Sequence, residues 1–343
     1  MENEFTQDVT TEPVTLPEDT VTQAKKHFSK LGLMYIIGTL LVLGLQFASS
    51  AIAGAINPEL LSSTSYALLI TMIPMYAISM PIMGFLITRV PAQQIEKKKM
   101  SVGQWLIAFL MCYGGMYVSN LIGLFLTQTI GLIKGSPVAN NILEVATSSS
   151  VWVNFVIMVI CAPIAEELLF RKLLIDRTVK YGEAVAVVFS GLMFGLFHGN
   201  LNQFVYAFTL GICFGFIYVK TGNVRYSIYL HMVINFMGSV LGMLVLKFVG
   251  EEFIDALNDP AALAPYMMEH MGNVLFYFAY AFVLIAIAIT GIVLFIVNAK
   301  KVHFLPGEVT IPKGKRFSTT ILNVGMGLYF IFWIIMIIAQ LFS

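Results

Sequence analysis

Residues 151–175 read VWVNFVIMVICAPIAEELLFRKLLI, an apolar run long enough to cross the roughly 30 Å hydrocarbon core of a bilayer as a helix. Within this run, Glu166, Glu167 and Arg171 place three charges in six residues. A charged side chain at the centre of a membrane helix costs about 2.5–3.5 kcal/mol on insertion scales, so such residues are rare, usually paired and usually functional. The stretch therefore predicts a membrane helix with a functional site inside it.

Apolar stretches of similar length recur along the 343-residue chain, which is 58% hydrophobic and 11% charged. This composition lies outside the range of soluble globular domains. It predicts an all-α, polytopic transmembrane helix bundle of about eight to nine spans. The predicted spans cover residues 31–56, 66–88, 104–133, 151–175, 226–248, 273–297 and 321–342, with two shorter ones at 184–198 and 204–219.

The distribution of basic residues predicts the orientation of the chain. When alternate loops are assigned to the cytoplasm, Lys and Arg gather on one side, and only Lys134 and Lys247 fall on the other. Cytoplasmic loops carry such an excess of basic residues. The chain is therefore expected to be an integral, multi-pass protein of the lipid bilayer with a cytoplasmic N-terminus. The net charge of +1 gives no indication of a nucleic-acid partner.

The chain divides by composition into five regions. Residues 1–30 begin with an acidic segment that has no Lys or Arg in its first 22 positions, which predicts a disordered cytoplasmic tail and no signal peptide. Residues 31–133 are predicted scaffold helices, and residues 151–240 hold nearly every ionisable group expected inside the membrane. Residues 250–272 are a predicted acidic extracytoplasmic loop. Residues 273–343 are predicted C-terminal membrane helices, whose single tryptophan suits an interfacial position.

The two adjacent glutamates differ in their predicted surroundings. Glu167 and Arg171 are four residues apart on one helix face, with the acid before the base, and can form an ion pair. Glu166 projects about 100° away around the helix and need not share that pair. Two carboxylates in different surroundings suit acid–base catalysis. The alternative is a structural ion pair that anchors two helices.

Two further polar motifs lie in other predicted spans. Phe194 and His198 form an FxxxH pattern, although a lone His at a span end can equally be an interfacial side chain. His231 and Asn235 are four residues apart, so their side chains point the same way. The alternative interpretation of these two residues is a structural, interhelical hydrogen-bond pair. Two acids, an Arg, two His and an Asn from three spans together predict one shared, buried site.

The two shorter spans are predicted to form a hairpin. If residues 184–198 began at the inner surface, their last residue would lie far from the depth of Glu166, because a helix rises 1.5 Å per residue. We therefore expect residues 184–198 and 204–219 to form an irregular hairpin inside the bundle, with its tip lining a wet cavity. Gly211 and Gly215 on the second arm permit close helix contact.

In this order and spacing, EExxxR at Glu166–Arg171, FxxxH at Phe194–His198, the two glycines and HxxxN at His231–Asn235 resemble the motifs of the CPBP family of intramembrane proteases. That family includes CAAX-processing endopeptidases and the bacterial Abi, or bacteriocin-immunity, proteins. The resemblance covers roughly residues 151–236. It implies an all-helical intramembrane endopeptidase of a bacterial cell membrane that hydrolyses a peptide bond of a membrane-associated protein or peptide.

The resemblance also implies roles for the first two motifs. Glu166 and His198 would activate a water molecule for attack on a peptide carbonyl, and Glu167 with Arg171 would support and orient the site. The assignment is chemically reasonable, because a carboxylate or an imidazole can accept the proton of water.

His231 and Asn235 are implied to stabilise the oxyanion of the tetrahedral intermediate, as side-chain donors can. A metal is an open alternative. His198, His231 and a glutamate such as Glu167 could form a His₂Glu set for Zn²⁺ with a free position for water. The sequence does not choose between zinc and a metal-free glutamate/histidine mechanism.

Two other classes of function stay open at this point. A non-catalytic protein of the same fold, acting in bacteriocin self-immunity or as a membrane scaffold, could lose Glu166 or His198 without losing its function, and this chain retains both. A proton-coupled transporter would also use intramembrane Glu, His and Arg. A transporter built from repeats predicts charges in two related halves, whereas here they occupy a single region.

Overall fold

The computed structural model describes residues 18–250, 252–253, 256 and 260–342. Over these residues all regular structure is helical, which confirms the predicted all-α fold. The helices are α1 (Glu18–Ile56), α2 (Thr64–Thr88), α3 (Val102–Lys134), α4 (Asn141–Ser148), α5 (Val151–Tyr181), α6 (Glu183–Phe197), α7 (Leu201–Thr221), α8 (Arg225–Val249), α9 (Pro260–Glu269), α10 (Met271–Lys301), α11 (Arg316–Thr320) and α12 (Val324–Phe342).

Eight of these helices are long and apolar enough to cross a membrane, and α6 is a shorter apolar helix, which confirms the predicted eight to nine spans. Helices α1 and α12 lie side by side. They run in the same direction, because Gly325 packs on Ser29 and, further along both helices, the Tyr329 and Tyr35 ring centroids are 6.1 Å apart. Parallel helices require an odd number of crossings between them. Six long helices lie between α1 and α12, so α6 supplies the seventh crossing.

Helix α1 starts earlier than the sequence predicts. Residues 18–30, part of the tail expected over residues 1–30, are helical. The physical reason is aromatic burial: Phe28 is fully buried, and its ring centroid lies 5.0 Å from that of Tyr181 at the end of α5. Residues 1–17 lie outside the described part of the chain.

The predicted loop at residues 250–272 contains helix α9. Tyr266 of α9 donates a hydrogen bond of 2.7 Å to the Val249 carbonyl oxygen, so this helix packs back on the end of α8. Three acidic residues on which the loop prediction rested, Glu251, Asp255 and Asp259, lie outside the described residues.

Helices α6 and α7 form a hairpin in which most residues of α6 are buried. Glycine allows the two backbones to meet, because a Cβ on Gly211 would lie 2.6 Å from the Gly191 Cα. Gly215 is less restricted, since its Cβ would meet Val187 at an ordinary 3.5 Å. This close packing carries α6 into the bundle interior, and His198 follows directly at its C-terminal end.

Helix α5 contains two π-helical stretches, Phe155–Cys161 and Leu168–Leu173, one on each side of the adjacent glutamates. Helix α8 contains another, Phe236–Leu241, directly after Asn235. Single π turns inside α-helices occur mainly at functional sites. Irregular turns therefore flank the polar residues of both helices.

The hairpin contact predicts opposite effects for two glycine substitutions. Gly211→Ala introduces a Cβ into the backbone of α6, and such overpacking costs about 1–3 kcal/mol. Gly44→Ala is the matched control, because no atom lies within 4 Å of its Cβ position and Ala favours a helix interior by about 0.5–1 kcal/mol over Gly. We expect the thermal aggregation midpoint in detergent to fall for Gly211→Ala and not for Gly44→Ala. Equal midpoints would contradict the contact.

Candidate active site

Glu167 and Arg171 form the predicted ion pair. The distance from Arg171 Nη2 to Glu167 Oε1 is 3.0 Å, and both side chains are 0% exposed. Among the described residues, none of the Arg171 nitrogens Nε, Nη1 and Nη2 has a hydrogen-bond partner, so its contact with Glu167 is an ion pair without hydrogen-bond geometry. Two aromatic rings lie against the guanidinium instead, with Arg171 Cζ 4.2 Å from the Phe194 ring centroid and 5.5 Å from that of Phe214. The cation is thus stabilised by one carboxylate and two ring quadrupoles.

His231 of α8 lies between the two glutamates of α5. Its Nδ1 is 3.1 Å from Glu167 Oε1, and its Nε2 is 3.7 Å from Glu166 Oε2. The Glu166 side chain is 14% exposed, whereas that of Glu167 is fully buried. The two carboxylates therefore have the different surroundings that the sequence predicts. Because an ionised carboxylate only accepts hydrogen bonds, Nδ1 carries the hydrogen toward Glu167.

His198 occupies the turn that follows α6. Its Nδ1 lies 2.9 Å from the Phe194 carbonyl oxygen, and its side chain is partly exposed. Since a carbonyl oxygen only accepts, Nδ1 carries a hydrogen, and the lone pair of the neutral ring is on Nε2. The geometry leaves His198 with a free nitrogen that can accept a proton.

The Phe194 ring joins the parts of the site. Its centroid is 4.8 Å from that of His198 and 5.8 Å from that of His231, both in edge-to-face geometry, while Arg171 lies over its face. One phenyl ring thus contacts residues from all three motifs. In the sequence, Phe194 is only the first residue of the FxxxH pattern, and no pattern indicates its central position.

Helix α12 supports the His198 turn from outside the predicted core. Gly199 has φ +65, and a Cβ there would lie 2.9 Å from Trp333 Cζ3. The Trp333 ring also lies 5.4 Å from Phe197, and Tyr329 donates a 2.8 Å hydrogen bond to the Met193 carbonyl oxygen. Trp333 is only 5% exposed, so its expected interfacial position is wrong. Trp333 lies at the middle of α12, where it faces neighbouring helices.

Asn235 binds the backbone of α5. Its Nδ2 donates a hydrogen bond of 2.8 Å to the Met158 carbonyl oxygen. Ser239 Oγ in turn donates to the Asn235 carbonyl oxygen at 2.7 Å. One amide hydrogen of Asn235 is thus engaged in joining α8 to α5, and the second is available to another acceptor.

The expected zinc ligands do not form a ligand set. Among the described residues, no three His, Cys, Asp or Glu side chains are grouped closely enough to hold a metal ion. Glu167 Oε1 is shared by Arg171 and His231, and His231 Nδ1 faces that oxygen. With Glu167 engaged by Arg171 and His231, the described side chains do not fit a preformed His₂Glu zinc site.

The buried pair predicts unequal effects of two conservative substitutions on stability. Glu167→Gln leaves the Arg171 guanidinium buried and unpaired, which is expected to cost about 3–5 kcal/mol. Glu166→Gln replaces a partly exposed carboxylate whose Oε2 is 3.7 Å from His231 Nε2, too far for a hydrogen bond. This substitution should lower the stability by less than about 1 kcal/mol. The measurement is the thermal aggregation midpoint in detergent.

A double variant, Glu167→Leu with Arg171→Leu, serves as the control for this comparison. Removing both charges of a buried pair is often neutral or stabilising, so it should recover most of the loss caused by Glu167→Gln. If Glu166→Gln lowers the midpoint as much as Glu167→Gln does, the two carboxylates do not have the separate roles described above.

Comparison with known proteins agrees with the geometry. Residues 148–237 match the family model described as type II CAAX prenyl endopeptidase Rce1-like. The chain is 26% identical over 155 residues to the membrane-embedded CAAX protease MroQ of Staphylococcus aureus (strain USA300), covering 43% of this chain and 61% of the relative. It is 24% identical over 152 residues to the putative membrane peptidase YdiL of Bacillus subtilis (strain 168), covering 43% and 60%.

The chain thus spans about three fifths of the length of these curated relatives. No solved structure matches the chain significantly. The segment that matches the family model contains all six candidate site residues, which come from helices α5 and α8 and from the turn after α6. The resemblance found in the sequence is confirmed over residues 148–237, the segment that matches the Rce1-like family model.

Proposed function

We propose that this protein is an intramembrane endopeptidase that hydrolyses a peptide bond of a membrane-associated protein or peptide. The observation that carries the proposal is the contrast in burial within one site. Glu167, Arg171 and His231 are buried and bind one another, whereas Glu166 and His198 are partly exposed and present proton-accepting atoms. A purely structural ion pair needs no such exposed partners.

In the proposed reaction, Glu166 and His198 activate a water molecule. One of them accepts a proton while the water oxygen forms a bond to the peptide carbonyl carbon. The C–N bond then breaks, and the proton is delivered to the departing amine nitrogen. The products are a carboxylic acid and an amine, so the atoms of one water molecule are divided between them.

The tetrahedral intermediate carries an oxyanion, and we assign its stabilisation to His231 and Asn235. When both His231 nitrogens carry hydrogen, Nδ1 donates to Glu167 and Nε2–H faces the side of Glu166. Asn235 has a second amide hydrogen beyond the one used by Met158. A fixed donor of this kind typically contributes about 100- to 1,000-fold in rate.

Glu167 and Arg171 act as positioning residues in this mechanism. Glu167 accepts the Nδ1 hydrogen of His231, which fixes the ring between the two acids. Arg171 pairs with the Glu167 carboxylate and stacks on Phe194, whose carbonyl oxygen accepts from His198. The pair thereby orients both imidazoles without contacting the substrate.

The substrate class follows from the relatives by analogy. MroQ is named a CAAX protease, and the family model describes prenyl endopeptidases that act on the CAAX type of substrate. We propose a related specificity for this chain, in which the scissile bond lies near the end of a membrane-associated peptide. Such a substrate would reach the site from within or near the bilayer.

Two substitutions test the catalytic assignment. Glu166→Gln and His198→Ala each remove a proton acceptor, which is expected to lower the rate about 100- to 10,000-fold. Glu96→Gln and His303→Ala are the controls, because both side chains are exposed and lie outside the matched segment. Cleavage of a peptide library in detergent is the measurement, with thermal midpoints taken on the same samples. Wild-type rates in both site variants would contradict the assignment of Glu166 and His198, whereas no cleavage by the wild type itself would favour a non-catalytic role such as self-immunity.

Metal dependence provides a separate test. Since the side chains do not fit a zinc site, we expect proteolysis to survive exhaustive dialysis against EDTA or 1,10-phenanthroline with its rate changed less than about twofold. A loss of activity that Zn²⁺ restores would overturn the metal-free mechanism. Metal analysis of the purified, active protein gives an independent readout.

A further inference from the structure

A groove lies between α1 and α12 at the end where both helices begin. The helices are in closest contact where Gly325 packs on Ser29 and Gly32, and the Gly325 N–H donates to Ser29 Oγ at 3.1 Å. Beside this contact is an open cavity of about 720 Å³. Its walls are formed by one face of α1 near its start and by residues 321–331, at and just before the start of α12.

The two walls of the groove differ in chemistry. Helix α1 contributes Thr22, Lys25, Lys26 and Ser29, a single helical stripe with two cations. Both lysines are exposed, and neither forms an ion pair with a described residue. The wall formed by α12 and the residues before it is almost entirely apolar. The groove therefore combines positive charge at its mouth with apolar surface along its length.

The apolar surface continues into a second cavity of about 450 Å³. The two cavities share Ile321 and Phe330. The second has almost no polar lining, and Leu192 and Leu196 of α6 form part of its wall. An apolar path thus leads from the two lysines to the helix that precedes His198.

We propose that this groove binds one anionic phospholipid. The phosphate lies between Lys25 and Lys26, and the acyl chains cover the α12 wall and extend toward α6. An amphipathic ligand is required, because no soluble anion would cover the apolar walls. Among membrane lipids, negative headgroups are favoured near lysines at the bilayer surface, whereas the cationic headgroup of a zwitterionic lipid would add positive charge beside the two ammonium groups.

Native mass spectrometry of the full-length protein in detergent tests the lipid preference. The probes are phosphatidylglycerol and phosphatidylcholine with identical acyl chains, added in equal amounts. We expect a one-to-one phosphatidylglycerol adduct favoured on the order of tenfold in the wild type. The preference should disappear in the Lys25→Gln/Lys26→Gln variant. It should persist in Lys97→Gln/Lys98→Gln, which removes two lysines from a different loop.

A second variant tests the groove itself. Gly327 lines the cavity and has no atom within 4 Å of its Cβ position, so Gly327→Leu fills the groove without touching other residues at that position. It should weaken the adduct at least about fivefold while leaving both lysines in place. Equal binding of the two lipids by the wild type, or a preference that survives Lys25→Gln/Lys26→Gln, would overturn the proposal. Displacement by inorganic phosphate alone would identify an anion site and exclude a lipid site.

Discussion

The buried ion pair between Glu167 and Arg171 is the interaction on which the site depends. Taking two charges into a membrane protein carries a desolvation penalty of several kcal/mol per ion, which is recovered only with good geometry and additional partners. Here the partners come from three different helices: His231 from α8, Phe194 from α6 and Phe214 from α7. A stable pair therefore requires the whole core to be assembled, and the pair in turn fixes the relative positions of those helices.

Close helix packing is the second constraint, and glycine provides it. The Gly191 and Gly211 backbones meet in the α6–α7 hairpin, which allows the short apolar helix α6 to lie inside the bundle. Without that close packing, His198 and His231 could not both contact the Phe194 ring. The π-helical stretches of α5 and α8 are a further part of this helix geometry, because they flank the two glutamates and Asn235. Helix geometry thus converts separated motifs into one site.

The sequence predicted those features that arise within one helix or from the composition of a span. Examples are the all-α fold, the Glu167–Arg171 pair and the difference between the two glutamates. It did not predict contacts that arise between helices distant in sequence. The position of Phe194, the bond from Asn235 to Met158 and the burial of Trp333 depend on how helices pack, and an apolar side chain has the same local pattern whether it faces lipid or protein. The early start of α1 was missed because burial of Phe28 outweighs the polar character of its neighbours.

The contacts of α12 show that the site is larger than the segment that matches the family. That segment ends at residue 237, whereas Trp333 and Tyr329 lie roughly a hundred residues further along the chain. Trp333 occupies the space beside Gly199, and Tyr329 binds the backbone of α6 at Met193, so both restrict the turn that carries His198. A proton acceptor in a turn needs such support, because a turn has fewer backbone hydrogen bonds than a helix and moves more easily. Substitutions in α12 can therefore change the position of His198 without altering any motif residue, and α12 is structurally part of the candidate site.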